Sequence, residues 1–201
     1  MATSISSRPD LVTATAVGIS LSAFFTGGNF ALSHIAFPGL LLARPDARSS
    51  QAKPETGSQQ LSRQWRLVFT RGLFTLPWAA VVSSACFGYV AWNLPATASD
   101  TFLDNRSVQN ARRAFITAAS FAFSIGPWTF AAMSGVNGEL QKRATHADKG
   151  EDLPAIEKYE AKQAVQEMDV EALMRQWAYL NLIRAALPFA AILSAVAGTL
   201  F

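Results

Sequence analysis

Trp177, Asn181, Arg184 and Pro188 recur at steps of four, three and four residues. At 100° per residue on a helix these side chains fall in one narrow stripe. Arg184 is the only charged residue between Gln176 and Phe201. A guanidinium carries five N–H donors and no acceptor, and no apolar segment of this chain contains an Asp or Glu to pair with it. Its donors must be met by backbone carbonyls, by the amide oxygens of Asn181 and Asn137, by water, or by a ligand bearing oxygens. An arginine facing hydrocarbon costs at least a few kcal/mol, which favours a bundle interior or a wet cavity. At about 10 Å below Trp177 along a helix, Arg184 is also within reach of snorkelling to the interface.

The elements that carry this stripe read as membrane spans. Half of the 201 residues are hydrophobic and 15% are charged, against about 25% in ordinary soluble domains. Leu11–Ala43, Gly72–Ser99 and Ala114–Gly138 contain no Asp, Glu, Lys or Arg, and Gln176–Phe201 contains Arg184 alone. Each exceeds the roughly 20 residues that cross hydrocarbon as a helix. The expected fold is all-α: one membrane domain over residues 1–201, a four-transmembrane-helix bundle. Spans are expected at about 11–42, 67–94, 114–138 and 174–201, with cytosolic loops at 43–66 and 139–173. The apolar run from Leu11 is too long for a signal-peptide core and reads as a retained first span.

Three loops separate the spans. Arg44–Gln64 is rich in Pro, Ser and Gln and reads as irregular, and Asp100–Arg113 is short. Glu139–Arg175 is the longest and most charged. Its second half lacks Gly and Pro and is expected to form a cytosolic helical extension preceding the fourth span. Loops one and three, with their flanks, hold eleven Lys and Arg, against four for the N-terminus and loop two. That bias places loops one and three in the cytosol and both termini in a lumen, at the endoplasmic reticulum or another endomembrane. Asn105-Arg106-Ser107 is a glycosylation triplet on the lumenal side. Pro77 and Pro127 interrupt spans two and three, which a bundle tolerates. Gly27-Gly28 is expected to bend or break span one.

In an antiparallel bundle the ends of spans one and three meet the starts of spans two and four. Asn29 and His34 are late in span one, Arg71 opens span two, Asn137 closes span three, and Trp177, Asn181 and Arg184 open span four. All therefore fall in one half of the membrane; Asn93 is the exception. Arg71, one residue from its span start, reads as an interfacial anchor. The small, polar series Thr15, Gly18, Ser22, Thr26, Asn29 and Ser33 suits close packing of membrane helices more than chemistry. Trp65, Trp92 and Trp177 lie near span ends, where aromatic belts occur. Trp78 and Trp128 lie deeper, and a subset of the rings can line a pocket for a flat ligand.

Several chemistries lack their residues. Two histidines, His34 and His146, and the single Cys86 leave no zinc or iron–sulfur ligand set. Spans without Asp or Glu exclude a bundle-core di-iron site, and no Gly-rich nucleotide loop is present. No metal and no bound cofactor is expected. The net charge of +3 sits in membrane-flanking loops and reads as topology, so no nucleic-acid partner is expected.

Trp177-x3-Asn181-x2-Arg184 followed by Leu187-Pro188, and Pro127-x-Thr129-x7-Asn137-x2-Leu140, resemble the signature motifs of the anthrone oxygenase-like membrane protein family. The order of spans, loop and charged helix fits as well. This resemblance implies oxidation of a polyketide anthrone, of emodin-anthrone or noranthrone type, to its anthraquinone, with O₂ as co-substrate. It implies Arg184, Asn181 and Asn137 as donors to a developing oxyanion. Trp177, Thr129, Asn29 and Trp128 would contact a small aromatic polyketide substrate. His34 is the one conventional neutral-pH base in the spans, though it matches no family motif and can equally be structural. The substrate's own phenolate, or a water held by the asparagines, can serve instead. Two other readings remain: a non-enzymatic scaffold recruiting pathway enzymes, and an organic-anion carrier using Arg184. The lipid membrane is the evident partner, and homo-oligomerisation is open.

Overall fold

The computed structural model describes Ile5 and residues 8–42, 56–94, 105–149 and 169–200. Among these residues every regular element is helical. The first long helix consists of α1 (Pro9–Ala31), a π-helical turn (Leu32–Ala36) and α2 (Phe37–Leu42). The second is α3 (Thr56–Asn93). The third joins α4 (Asn105–Trp128) through a second π-helical turn (Thr129–Met133) to α5 (Ser134–Lys149). The fourth is α6 (Val170–Leu200). Four helices are long and apolar enough to cross a membrane: Pro9–Leu40, Gln60–Asn93, Arg106–Asp148 and Val170–Leu200. The chain is thus an all-α protein with four candidate spans.

Element boundaries depart from the sequence reading in instructive places. Residues 56–64, within the Arg44–Gln64 segment expected to be irregular, are helical and continuous with span two. Gln60–Arg66 is free of Gly and Pro and buries Leu61, Ser62 and Trp65 on one face, which outweighs the loop-like composition around it. Helix likewise continues past Gly138 to Lys149. Gly27-Gly28 does not break span one, because α1 runs through both glycines to Ala31. The irregularity comes immediately afterwards, as the π turn at Leu32–Ala36, where the Phe37 N–H reaches back to the Leu32 carbonyl. Pro77 and Pro188 sit inside continuous helices, whereas Pro127 is followed within two residues by the second π turn. The helical extension expected in 157–173 lies outside the described residues except at its end, where helix begins at Val170.

The chain packs as two compact units, each drawing on all four long helices. Unit 1 comprises Met1–Gly28, Thr75–Pro127 and Arg184–Phe201. Its core joins Leu11 of α1, Phe87, Val90 and Ala91 of α3, Ala111, Phe115 and Ala118 of α4, and Ala191 and Ala195 of α6. In lipid, helix association rests on close packing and interhelical hydrogen bonds, and unit 1 uses both. Gly18 lies so close to Phe87 that a Cβ there would be 2.6 Å from the ring. Ser83 Oγ donates to the Gly18 carbonyl at 2.8 Å and sits 2.5 Å from Ser22 Oγ. Ser84 Oγ donates to the Ala119 carbonyl at 3.0 Å. The small polar series of span one is thus partly a packing surface, as its composition suggested.

Unit 2 comprises Asn29–Phe74 and Trp128–Ile183. Its core gathers Phe37 of α2, Leu61 and Trp65 of α3, Met133, Val136 and Leu140 of the third helix, and Leu173, Met174 and Trp177 of α6. The end of span one, the start of span two, the end of span three and the start of span four therefore meet, as an antiparallel bundle requires. Outside the apolar core, Arg63 and Arg66 of α3 both pair with Asp148 of α5. Arg63 also donates to the Ala147 carbonyl, so the two helical extensions are held to each other.

Candidate functional site

Unit 2 buries more polar chemistry than packing alone explains. Asn181 and Asn29 are completely buried and Ser33 nearly so. The Asn181 amide nitrogen donates to the Asn29 carbonyl oxygen at 3.2 Å and to Ser33 Oγ at 3.0 Å. Both acceptors lie at or just before the first π turn. Such a turn disturbs the regular carbonyl ladder, and single π turns occur often at functional sites. The second π turn begins at Thr129, so residues from the expected site occupy both irregular turns. These hydrogen bonds engage both N–H groups of Asn181. It therefore fixes α6 against the first helix and has no N–H left to donate to a guest.

Around this pair lies an aromatic group. Trp177, one turn before Asn181, is buried and meets Trp65 edge-on, with ring centroids 6.1 Å apart at 86°. Trp65 stacks on Phe69 at 4.8 Å and 18°. The indole Nε1 atoms of Trp65, Trp177 and Trp128, and the side-chain oxygens of Asn137 and Gln176, are buried without a hydrogen-bond partner among the described residues. Leaving one such group unsatisfied costs about 1–3 kcal/mol, so a concentration of them calls for water or a polar guest. Asn137 lies on α5 next to Val136, which packs in the same core cluster as Trp177.

Arg184 belongs to unit 1 and lies one turn beyond Asn181 along the continuous helix α6. It is partly buried, and its guanidinium carbon lies 5.7 Å from the centroid of the Phe25 ring. This cation–π contact holds the charge against an aromatic face without neutralising it. Pro188, four residues on, is buried and has no N–H to offer the Arg184 carbonyl, so that carbonyl drops out of the helical ladder. The stripe inferred from spacing is therefore inward-facing at Trp177, Asn181 and Pro188, with Arg184 half-buried.

The remaining expected residues divide. Asn29 joins the amide cluster through its backbone carbonyl, and Trp128 and Thr129 flank the second π turn, both half-buried. His34 is not brought to the cluster: it is exposed, on the outward side of the π turn whose neighbour Ser33 faces in, with its ring 4.9 Å from Phe30. Arg71 is also exposed. Ser33 and Trp65 escaped the sequence reading as site residues. Ser33 continues the small polar series one turn after Asn29, which was the available signal. Trp65 looked like a belt residue because the helix around it was not expected. Among the described residues, no group of three or more His, Cys, Asp or Glu side chains is arranged to hold a metal ion.

Comparison with known proteins adds a family assignment. The family model described as anthrone oxygenase matches residues 65–194, about two thirds of the chain. Anthrone oxygenase encC of Aspergillus fumigatus is 28% identical over 181 residues, covering 87% of this chain and 85% of that protein. No solved structure matches. The matched residues include the amide cluster's α6 half, Arg184, the second π turn and Trp65.

Proposed function

This chain belongs to the anthrone oxygenase family, and from that premise we propose that it is a membrane enzyme oxidising a polyketide anthrone to the anthraquinone with O₂. The observation that carries the reading is the α6 stripe: Asn181 locked to the first helix, with a cationic, aromatic-backed Arg184 on the next turn.

The substrate chemistry needs little from a protein. The anthrone CH₂ is flanked by two rings and conjugated to a carbonyl, so loss of one proton leaves an electron-rich anion with charge on oxygen. That anion gives one electron to O₂, forming a carbon radical and superoxide. Their combination, with a proton, forms the hydroperoxide. Loss of the remaining C–H proton and of hydroxide from the peroxide then gives the quinone carbonyl and water. One anthrone and one O₂ become one quinone and one water.

Arg184 supplies the charge that holds the anionic oxygen in a low-dielectric setting, where a fixed donor is worth most. Asn181 is a positioning residue, since its donors are engaged by Asn29 and Ser33. Within unit 2, the indole N–H of Trp177 and the side-chain oxygen of Asn137 are neutral polar groups buried without a partner among the described residues. Proton removal falls to the substrate's own phenolate or to water, and no bound cofactor takes part. The excess of Lys and Arg in loops one and three supports termini on the lumenal side of an endomembrane.

The test uses washed membranes carrying the protein, with emodin anthrone supplied and quinone formation followed above the autoxidation rate. Turnover is expected with the wild type, unchanged by metal chelators, and lost in Arg184→Ala at equal membrane levels. Wild-type turnover in Arg184→Ala would remove the mechanism.

A further inference from the structure

Unit 1 carries a second concave feature, a groove of about 350 Å³ open along the outer surface of α3 and α4. Its floor is made of small residues, chiefly Gly88 and Ala119, and its rim of Trp92 and Phe123, both strongly outward-facing. The two serines that line it are already satisfied by the helices. Ser84 Oγ donates to the Ala119 carbonyl at 3.0 Å, and Ser120 Oγ donates to the Ile116 carbonyl at 2.9 Å. With both hydroxyl protons engaged, the groove receives a guest as an apolar trough.

One lining residue departs from this character. Arg112 is half-buried at the groove and makes no hydrogen bond or ion pair with any described residue. It lies two turns from the start of α4 at Asn105, and Trp92 lies one residue before the end of α3 at Asn93. The cation and the indole therefore mark the end of the groove nearest the membrane border. Arg106 and Arg113 stand at the same end of α4. An apolar trough closed by a cation at headgroup depth is complementary to an anionic amphiphile. A second copy docked about a two-fold axis through this groove would set Arg112 against its own counterpart.

We propose that this groove is a binding site for one anionic phospholipid, with an acyl chain lying against Gly88 and Ala119 and the headgroup phosphate held by Arg112. This site is independent of the α6 stripe and of the oxidation proposed above.

The test compares wild type, Gly88→Leu and Arg112→Gln, reconstituted from mixed phosphatidylserine and phosphatidylcholine vesicles and examined by native mass spectrometry. A Cβ at Gly88 meets nothing within 4 Å, so the side chain of Gly88→Leu starts into the open groove and occupies it. The wild type should retain one phospholipid with phosphatidylserine preferred. Arg112→Gln should weaken that preference about fivefold, the worth of one basic residue at an anionic surface, and Arg112→Lys should restore most of it. Gly88→Leu should lose the adduct whichever headgroup is offered. Equal retention by all variants, or a Gly88→Leu change from dimer to monomer with lipid retention unaltered, would overturn the assignment.

Discussion

The Asn181 amide nitrogen lies 3.0 Å from Ser33 Oγ, joining residues 148 positions apart in the sequence. The same nitrogen reaches the Asn29 carbonyl oxygen. A carbonyl only accepts, so the amide orientation is decided by chemistry: nitrogen faces the first helix and Oδ1 faces away from it. The fold thereby sets the rotation of α6 at the turn immediately before Arg184.

Replacing Asn181 with Leu removes the donor from two buried acceptors. Hydrogen bonds between membrane helices contribute about 0.6 kcal/mol on average and up to about 1.7. Asn181→Leu should lower unfolding stability by an amount in that range and reduce turnover by misplacing Arg184. Ser33→Ala should cost less, because the Asn29 carbonyl remains. A double-mutant cycle in bilayer or micelle unfolding checks this, and strictly additive effects would show that the pair does not interact.

Arg184 and Phe25 test whether charge or packing matters. Arg184→Lys keeps a cation but loses the planar fork, so it should leave insertion intact and lower turnover at least about a hundredfold, the scale of a lost oxyanion donor. Phe25→Leu preserves an apolar side chain and removes the π face. The lost contact should cost about 0.5–2 kcal/mol, read as lower stability with a smaller loss of turnover than Arg184→Lys.

The orphaned indoles give a prediction in which stability and activity separate. Trp177→Phe retains a ring beside Trp65 and deletes a buried donor that has no acceptor among the described residues. Burying that donor costs about 1–3 kcal/mol, so the variant should be at least as stable as the wild type. If Trp177 contacts the guest, turnover should fall and KM rise. Unchanged kinetics would assign Trp177 to packing alone.

Close packing in unit 1 is tested at Gly18. Gly18→Ala places a Cβ against the Phe87 ring, an overpacking that costs about 1–3 kcal/mol. Phe87→Leu in the same chain should recover part of the loss. Thermal unfolding in detergent distinguishes this from a general helix effect, which would favour Ala over Gly.

Much of this was legible because membrane spans announce themselves. The four spans follow from long runs without charge, and the meeting of Asn29, Trp177 and Asn181 in unit 2 follows from counting span ends. The α6 stripe was legible from spacing alone, since one helical period decides which side chains share a face. The π turns were not legible. Gly27-Gly28 offered a conventional reason for a bend, yet the helix absorbs both glycines and departs from regular geometry at Leu32–Ala36, where tertiary contacts to Asn181 are made. Composition also hid the helix at residues 56–64, because the burial of Leu61 depends on partners from three other segments. Asn181 was misjudged for the same reason: the family resemblance implied a donor to a guest, whereas its amide N–H groups are directed to Asn29 and Ser33 on the first helix.

His34 provides the sharpest contrast between residue type and placement. By type it is the one conventional base in the spans, and a neutral imidazole suits proton abstraction near pH 7. By placement its side chain is exposed and set against Phe30, while Ser33, one residue earlier, faces the buried amides. Successive residues on a helix diverge by about 100°, so both cannot serve the same interior. His34→Gln should therefore retain turnover within about twofold of wild type, and its pH–rate profile should be unchanged if the substrate's own phenolate or a water is the base, as proposed above. A hundredfold loss, with a limb of that profile abolished, would make His34 the base and would require the π turn to rotate its ring inward during turnover.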